Sequence, residues 1–222
     1  MEQKSKFSAD WFDHNIENWK SWLGDFYGKP GLRFLEIGSY EGRSTIWLLQ
    51  NILTDTTSTI DCADLFTTLP DLGDYYPRFM ANTAPWKDRV TAHRGPSFDT
   101  LCRLQSEFDM VYVDGWHTAY GTMADAVMSW PRLKVGGVMI FDDYMWVPPA
   151  QLGERKRPGF VTRKMLQWKG INWRDAAFDA DIAKDPAECP KPGIDGFLDA
   201  LVGHCELLGR GYQLAIRKTR NF

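Results

Sequence analysis

Three carboxylates stand where this chain could do chemistry: Asp114 and the adjacent pair Asp142 and Asp143. Each position closes a short apolar run, Phe108-Asp109-Met110-Val111-Tyr112-Val113 before Asp114 and Val138-Met139-Ile140-Phe141 before Asp142. In an open α/β sheet, ligands bind outside the carboxyl ends of the strands, so side chains there reach a ligand. Carboxylates gathered at one edge repel one another unless a positive charge lies among them, which makes the trio a candidate cation site. Hard oxygen ligands without Cys or His favour Mg²⁺, with Mn²⁺ or Ca²⁺ also accommodated. Three protein oxygens leave positions open for water or for the two oxygens of a diol or catechol. The alternative is structural: Asp114-Gly115 is a turn dipeptide and Asp142-Asp143 could cap a turn. Neighbouring residues on a regular strand point to opposite faces, so Asp142 and Asp143 can both be ligands only where the strand has ended.

A second constellation is Glu36-Ile37-Gly38-Ser39-Tyr40-Glu41-Gly42-Arg43-Ser44. Gly38 allows a sharp turn, and Gly42 allows backbone to approach a ligand at a helix start. The dinucleotide pattern GxGxxG would put glycine at 40 and 43, where Tyr40 and Arg43 stand. A cofactor carrying a carboxylate, an amine and a nucleoside fits better than a pyrophosphate. Asp64, ending the next strand, suits a ribose diol, because a carboxylate accepts hydrogen bonds from both hydroxyls.

Alternating strands and helices must position these groups. Helical spacing over Phe12, Ile16, Trp19 and Leu23 follows Ser8 as a cap, and Gly28-Lys29-Pro30-Gly31 breaks it. Strands are predicted at 33–37, 59–63, 89–93 and 108–113, with helices reaching about residue 53 and near 74–84 and 97–104. A crossover helix near 118–130 presents Ala119, Met123, Ala126 or Val127, and Trp130 to the sheet. Asp125 within it is a helix-surface residue or one that supports the site from behind. A Gly136-Gly137 turn precedes the second acidic strand. Phe197, Leu198, Leu201, Val202 and Cys205 predict an amphipathic helix, and 212–217 a final strand. The alternation predicts a mostly parallel, doubly wound α/β sheet.

Residues 144–193 break this rhythm, with six of the twelve prolines, Trp146, Trp168 and Trp173, the basic run Arg155-Lys156-Arg157 and a helix near 161–169. They read as an insertion, either a substrate-covering lid or an irregular segment anchored by its tryptophans. The whole chain, 1–222, reads as one domain, with an N-terminal helical segment over 1–30. Trp11, Trp19 and Trp22 there could cover the site or build a homo-oligomer interface. A net charge of −3, 44% hydrophobic and 25% charged residues describe a soluble globular protein with no electrostatic footprint for nucleic acid. No apolar stretch suits a membrane span and the N-terminus lacks a signal-peptide core. Cys62, Cys102, Cys189 and Cys205 show no CxxC pattern, which fits free thiols in a reducing cytoplasm. His14, His93 and His204 read as surface or core histidines.

Phe34 to Ser44 resembles the first motif of class I S-adenosylmethionine-dependent methyltransferases. Val113-Asp-Gly-Trp-His-Thr-Ala-Tyr120, Asp125 and Leu133-Lys-Val-Gly-Gly-Val-Met-Ile-Phe-Asp-Asp-Tyr144 resemble the branch of metal-dependent macrolide and aminocoumarin sugar O-methyltransferases more narrowly. The resemblance spans about residues 32–143, with Asp195–Lys218 as the last helix and strand. It implies a Rossmann-like seven-stranded sheet with helices on both faces and an antiparallel last strand. It implies that Glu36, Gly38, Ser39, Tyr40, Gly42 and Ser44 surround the methionine part of S-adenosylmethionine, that Asp64 holds the ribose, and that Gly95-Pro96-Ser97 lies near the adenine. It further implies Asp114, Asp142 and Asp143 as ligands of Mg²⁺, with His117 as base, although some relatives carry a carboxylate near that position. The expected reaction is O-methylation of a hydroxyl on a small sugar, diol or catechol-like acceptor. A metal-independent methyltransferase and a non-catalytic S-adenosylmethionine-binding module are the alternatives, and a nicotinamide oxidoreductase is disfavoured by the glycine spacing.

Overall fold

The computed structural model describes residues 5–69, 73–153, 164–165 and 173–222. Nine strands are described: β1 (Arg33–Ile37), β2 (Thr59–Asp64), β3 (Thr68–Leu69), β4 (Gly73–Asp74), β5 (Val90–Arg94), β6 (Phe108–Val113), β7 (Leu133–Phe141), β8 (Cys205–Arg210) and β9 (Leu214–Lys218). The helices are α1 (Ile16–Trp22), α2 (Arg43–Asn51), α3 (Tyr76–Thr83), α4 (Ser97–Arg103), α5 (Ala119–Ser129), α6 (Trp173–Ile182) and α7 (Pro190–Ala200). Seven strands form one sheet in the order β5-β2-β1-β6-β7-β9-β8, and β3 and β4 form a separate small hairpin. The first five run parallel, and β9 is antiparallel to both its neighbours, as expected for the last strand.

Strand alternation splits the core into two layers. Phe34, Ile60, Met110, Tyr112 and Ile140 pack with Trp19 of α1 and Trp47 and Leu48 of α2 on one face. Leu35, Val111, Val113, Met139 and Phe141 pack with Leu101 of α4, Ala126 of α5 and Phe197 of α7 on the other. A small third cluster, Val147, Phe178, Ile182 and Cys189, belongs to the segment after Tyr144. The α5 stripe uses Ala126, while Val127 is exposed.

Three expectations change. Asp10, not Ser8, takes the first free N–H groups before α1, accepting from Phe12 and Asp13 at 3.0 Å each, while Ser8 reaches across to Glu41. Gly136 and Gly137 lie within β7, where residues 134–137 together face the single residue Asp109; the left-handed Gly136 (φ 86°) carries the bulge. The last helix stops at Ala200, because the chain reverses at Gly203 (φ 79°), and Cys205 opens an edge strand instead. The hairpin β3–β4 has two-residue strands and left no periodic signal. The helix expected near 161–169 falls largely outside the described residues. Among the described residues no helix is long and apolar enough to cross a membrane.

Candidate functional site

From β1 the chain proceeds outward through β2 and β5, then returns to place β6 and β7 on the other side, so the crevice opens between the carboxyl ends of β1 and β6. Gly38 closes that gap. It adopts φ 87°, and a Cβ there would lie 1.8 Å from the Asp114 carbonyl oxygen. The glycine loop therefore rests directly on the end of β6. Gly42 (φ 84°) is small for a different reason from the one expected: its Cβ would press on the Phe79 ring of α3 at 3.2 Å.

The loop is held by carboxylates rather than by a ligand. Asp64 Oδ2 accepts from the Ser39 and Tyr40 N–H groups, both at 2.8 Å, and Oδ1 accepts from the Phe66 N–H and the Tyr75 hydroxyl at 2.8 and 2.7 Å. Glu36 is fully buried, accepting from the Ser44 and Thr45 hydroxyls and the Cys62 thiol. Burial raises its pKa and the two hydroxyls oppose the rise. Of the residues expected around a cofactor, Gly38, Ser39, Tyr40 and Ser44 line a cleft of about 380 Å³, together with Ala9, Trp11, Phe12, Arg43, Tyr112, Asp114 and Asp142. Glu36, Gly42 and Asp64 shape the loop from behind, and Ser97 opens α4 beside Asp125.

At the acidic edge the imidazole of His117 stands between two carboxylates, Nε2 at 3.3 Å from Asp114 Oδ1 and Nδ1 at 3.2 Å from Asp143 Oδ2. One ligand atom from each of Asp114, His117 and Asp143 lies within 4.8 Å of the others, a spacing that fits a single cation. Asp142 is not in this group. The strand ends at Phe141, Asp143 turns into the left-handed region (φ 54°), and the two side chains diverge. Asp142 faces inward, where Oδ2 accepts from the Tyr112 hydroxyl at 2.6 Å and Oδ1 from Gln213 Nε2 at 3.0 Å and the Asp143 N–H at 2.9 Å. Asp114, His117 and Asp143 therefore lie together, and Asp142 adjoins them through the Tyr112 hydroxyl it shares with Asp114.

Burial and the Asp142 charge push Asp114 well above the usual carboxylate range, against the His117 hydrogen bond. Burial alone would lower His117, but the Asp114 hydrogen bond and the Asp114, Asp143 and Asp142 charges outweigh it and push it up to about 9. The carboxylates on either side thus favour the protonated form of the imidazole.

Several participants had little signal in the sequence. Tyr112 shared its strand face with Asp114, two residues on, and that parity could have found it. Tyr212 and Gln213 precede β9 and reach Asp143 and Asp142 from a distant part of the chain. Gln213 Oε1 in turn accepts from Trp19 Nε1 of α1 at 2.7 Å, and both side chains are fully buried. Trp19 and Trp22 are core residues, while Trp11 lies over the cleft against Tyr40. Asp125 is buried, not on the helix surface; burial raises its pKa to about 6, with the Ser97 hydroxyl acting in the other direction. His93 pairs with Asp61 at 2.7 Å, and the rings of His14 and His204 contact those of Tyr212 and Phe222.

Beyond His117 a broad groove of about 640 Å³ is lined by Gly115, Trp116, His117, Thr118, Trp146, Pro148 and Glu188. Trp146 stands edge-on to His117, ring centres 5.5 Å apart. Trp168 and the Arg155-Lys156-Arg157 run lie outside the described residues, as does the side chain of Trp173.

Residues 35–144 match the family model described as a methyltransferase domain. An O-methyltransferase from Aspergillus hancockii, hkm8, is 26% identical over 130 residues, covering 57% of this chain and 49% of that protein. The chain thus spans about half the length of this curated relative. Among solved structures, the O-methyltransferase NovP superposes with a TM-score of 0.61 at 19% identity, covering 93% of this chain and 80% of that one. MycE methyltransferase from the mycinamycin pathway, in complex with Mg and S-adenosylhomocysteine (SAH), superposes with a TM-score of 0.56 at 16% identity, covering 96% of this chain and 51% of that one.

Proposed function

The chain belongs to the class I S-adenosylmethionine-dependent methyltransferases, and from that premise we propose that it methylates a hydroxyl oxygen of a small sugar, diol or catechol-like metabolite with the help of a divalent cation. One observation carries this reading. Asp114 lines the cleft under the glycine loop and is also a member of the Asp114, His117 and Asp143 group. A donor in the first and an acceptor in the groove beyond the second would meet across a single side chain. The Mg in the MycE structure and the name of the Aspergillus relative support the same reading.

Gly38, Ser39, Tyr40 and Ser44 hold the methionine part of the cofactor, whose sulfonium supplies the electrophilic methyl group. The four donors around Asp64 fill its lone pairs, so it reaches a ribose only where Tyr75 gives up its place. Asp114 and Asp143, with Asp142 beside them, would hold the cation, which would supply a Lewis acid that acidifies and orients a hydroxyl. His117, within reach of the same edge, would take the hydroxyl proton. Trp146 and Trp116 offer flat surfaces for the acceptor.

Chelation tests the reading. EDTA should abolish methyl transfer to a diol acceptor, and Mg²⁺ or Mn²⁺ should restore it. Undiminished turnover in EDTA would remove the cation and leave a metal-independent methyltransferase. Tight SAH binding without turnover on any hydroxylated acceptor would point to a binding module.

A further inference from the structure

The cleft is electrostatically lopsided. Asp114 and Asp142 line it on one side, and Arg43, the first residue of α2, is the cation among its lining residues. The Arg43 side chain is only 28% exposed, and its guanidinium lies over the rings of Phe7 and Phe12. Guanidinium carries five N–H donors in a planar fork that suits a carboxylate. Asp13 pairs with it through Nη2, and the Asp10 carboxylate lies close enough to feel its charge. Asp13 belongs to the segment that crosses the mouth of the cleft. That segment is fastened by Ser8 to Glu41 and Tyr40, by Lys6 to Asn82, and by Trp11 against Tyr40.

We propose that Arg43 takes the carboxylate of the cofactor's methionine portion and that Asp13 holds its place in the unliganded protein. Cofactor entry is then an exchange of one carboxylate for another, which couples loading to movement of the N-terminal segment. The argument rests on the cleft being the cofactor site. It adds that the positive end of the cleft selects a ligand with an anionic end, while its two aspartates favour the ammonium and sulfonium. A methionine sulfonium has that distribution of charge.

Calorimetry with two ligands tests this: SAH and its decarboxylated analogue, which keeps the adenosine, thioether and amine. The wild-type protein should prefer SAH. Arg43→Gln should weaken SAH by about 10- to 100-fold and the analogue by less than about 3-fold, since one charge-assisted bidentate contact is lost. Arg43→Lys should fall between, and Asp13→Asn should tighten SAH a few-fold while leaving the analogue unchanged. Equal weakening of both ligands by Arg43→Gln, or none, overturns the proposal, and an unchanged SAH affinity in Asp13→Asn overturns the exchange. Should Arg43→Gln fail to give a cooperative melt, Arg43→Lys and Asp13→Asn decide alone. Failure of the wild-type protein to bind either ligand would instead sink the cofactor reading.

Discussion

The two halves of the site are finished to different degrees. Under the glycine loop each carboxylate is matched: Asp64 meets four donors, and Glu36 meets two hydroxyls and a thiol. At the acidic edge, Asp114, Asp142 and Asp143 share one imidazole, two tyrosine hydroxyls, one side-chain amide and one backbone N–H. In the first half the chain itself supplies the donors. The second accumulates negative charge at low solvent exposure, and only part of it is neutralised. The contrast separates a loop braced by its own donors from an acidic edge that would suit a cation, and substitutions should tell the two apart.

The largest effect should come where the halves touch. Gly38→Ala puts a methyl group into the Asp114 carbonyl at a left-handed φ. It should lower the melting temperature by on the order of 10 °C and abolish SAH binding in calorimetry. Retained SAH affinity would mean that the loop does not need the end of β6. Next comes His117→Ala, which should cut turnover by about 10²–10⁴-fold and leave SAH affinity unchanged; parallel losses would erase the division between loop and acidic edge. Gln213→Leu withdraws a donor from Asp142. It should cost about 10- to 100-fold in Mg²⁺ activation, read as a shifted metal titration, with Trp19→Phe costing less.

The smallest effect concerns Asp125, behind both halves. Its folded pKa of about 6 exceeds the ordinary 3.8, so between these values the folded protein binds more protons than the unfolded chain. Stability contributed by this group therefore falls as pH rises from about 4 to 6, and the penalty is complete above that range. Asp125→Asn should raise stability at pH 7 by at most about 3 kcal/mol and flatten the profile between pH 4 and 6 in urea melts. An unchanged profile would remove Asp125 from the account.

Much of this was legible in the chain. Four of the five parallel strands announced themselves because buried runs end in Gly or Asp, β5 being the half-exposed exception, and both acidic strand ends lie where the apolar runs stop. The strand β8 was not legible: it is a half-exposed edge strand whose Cys205-Glu206-Leu207-Leu208-Gly209-Arg210 lacks clean alternation. The direction of Asp142 was illegible for a deeper reason. It depends on the backbone turn at Asp143 and on Tyr112 and Gln213, the latter 71 residues away, and no local pattern encodes such a contact. The cleft residues of the glycine loop were found, but the reason for Gly42 was misread, because the ring it accommodates belongs to α3.

The indole of Trp19 and the amide of Gln213 lie 194 residues apart in the chain. An indole N–H can only donate, so it fixes which end of the amide faces Asp142. During synthesis the early strands and the glycine loop can pair while most of the C-terminal third is still unmade. The amide that orients Asp142 arrives only when β9 adds to β7. The molecule can thus form its glycine loop before its acidic edge is set, and that edge waits for the last strand of the sheet.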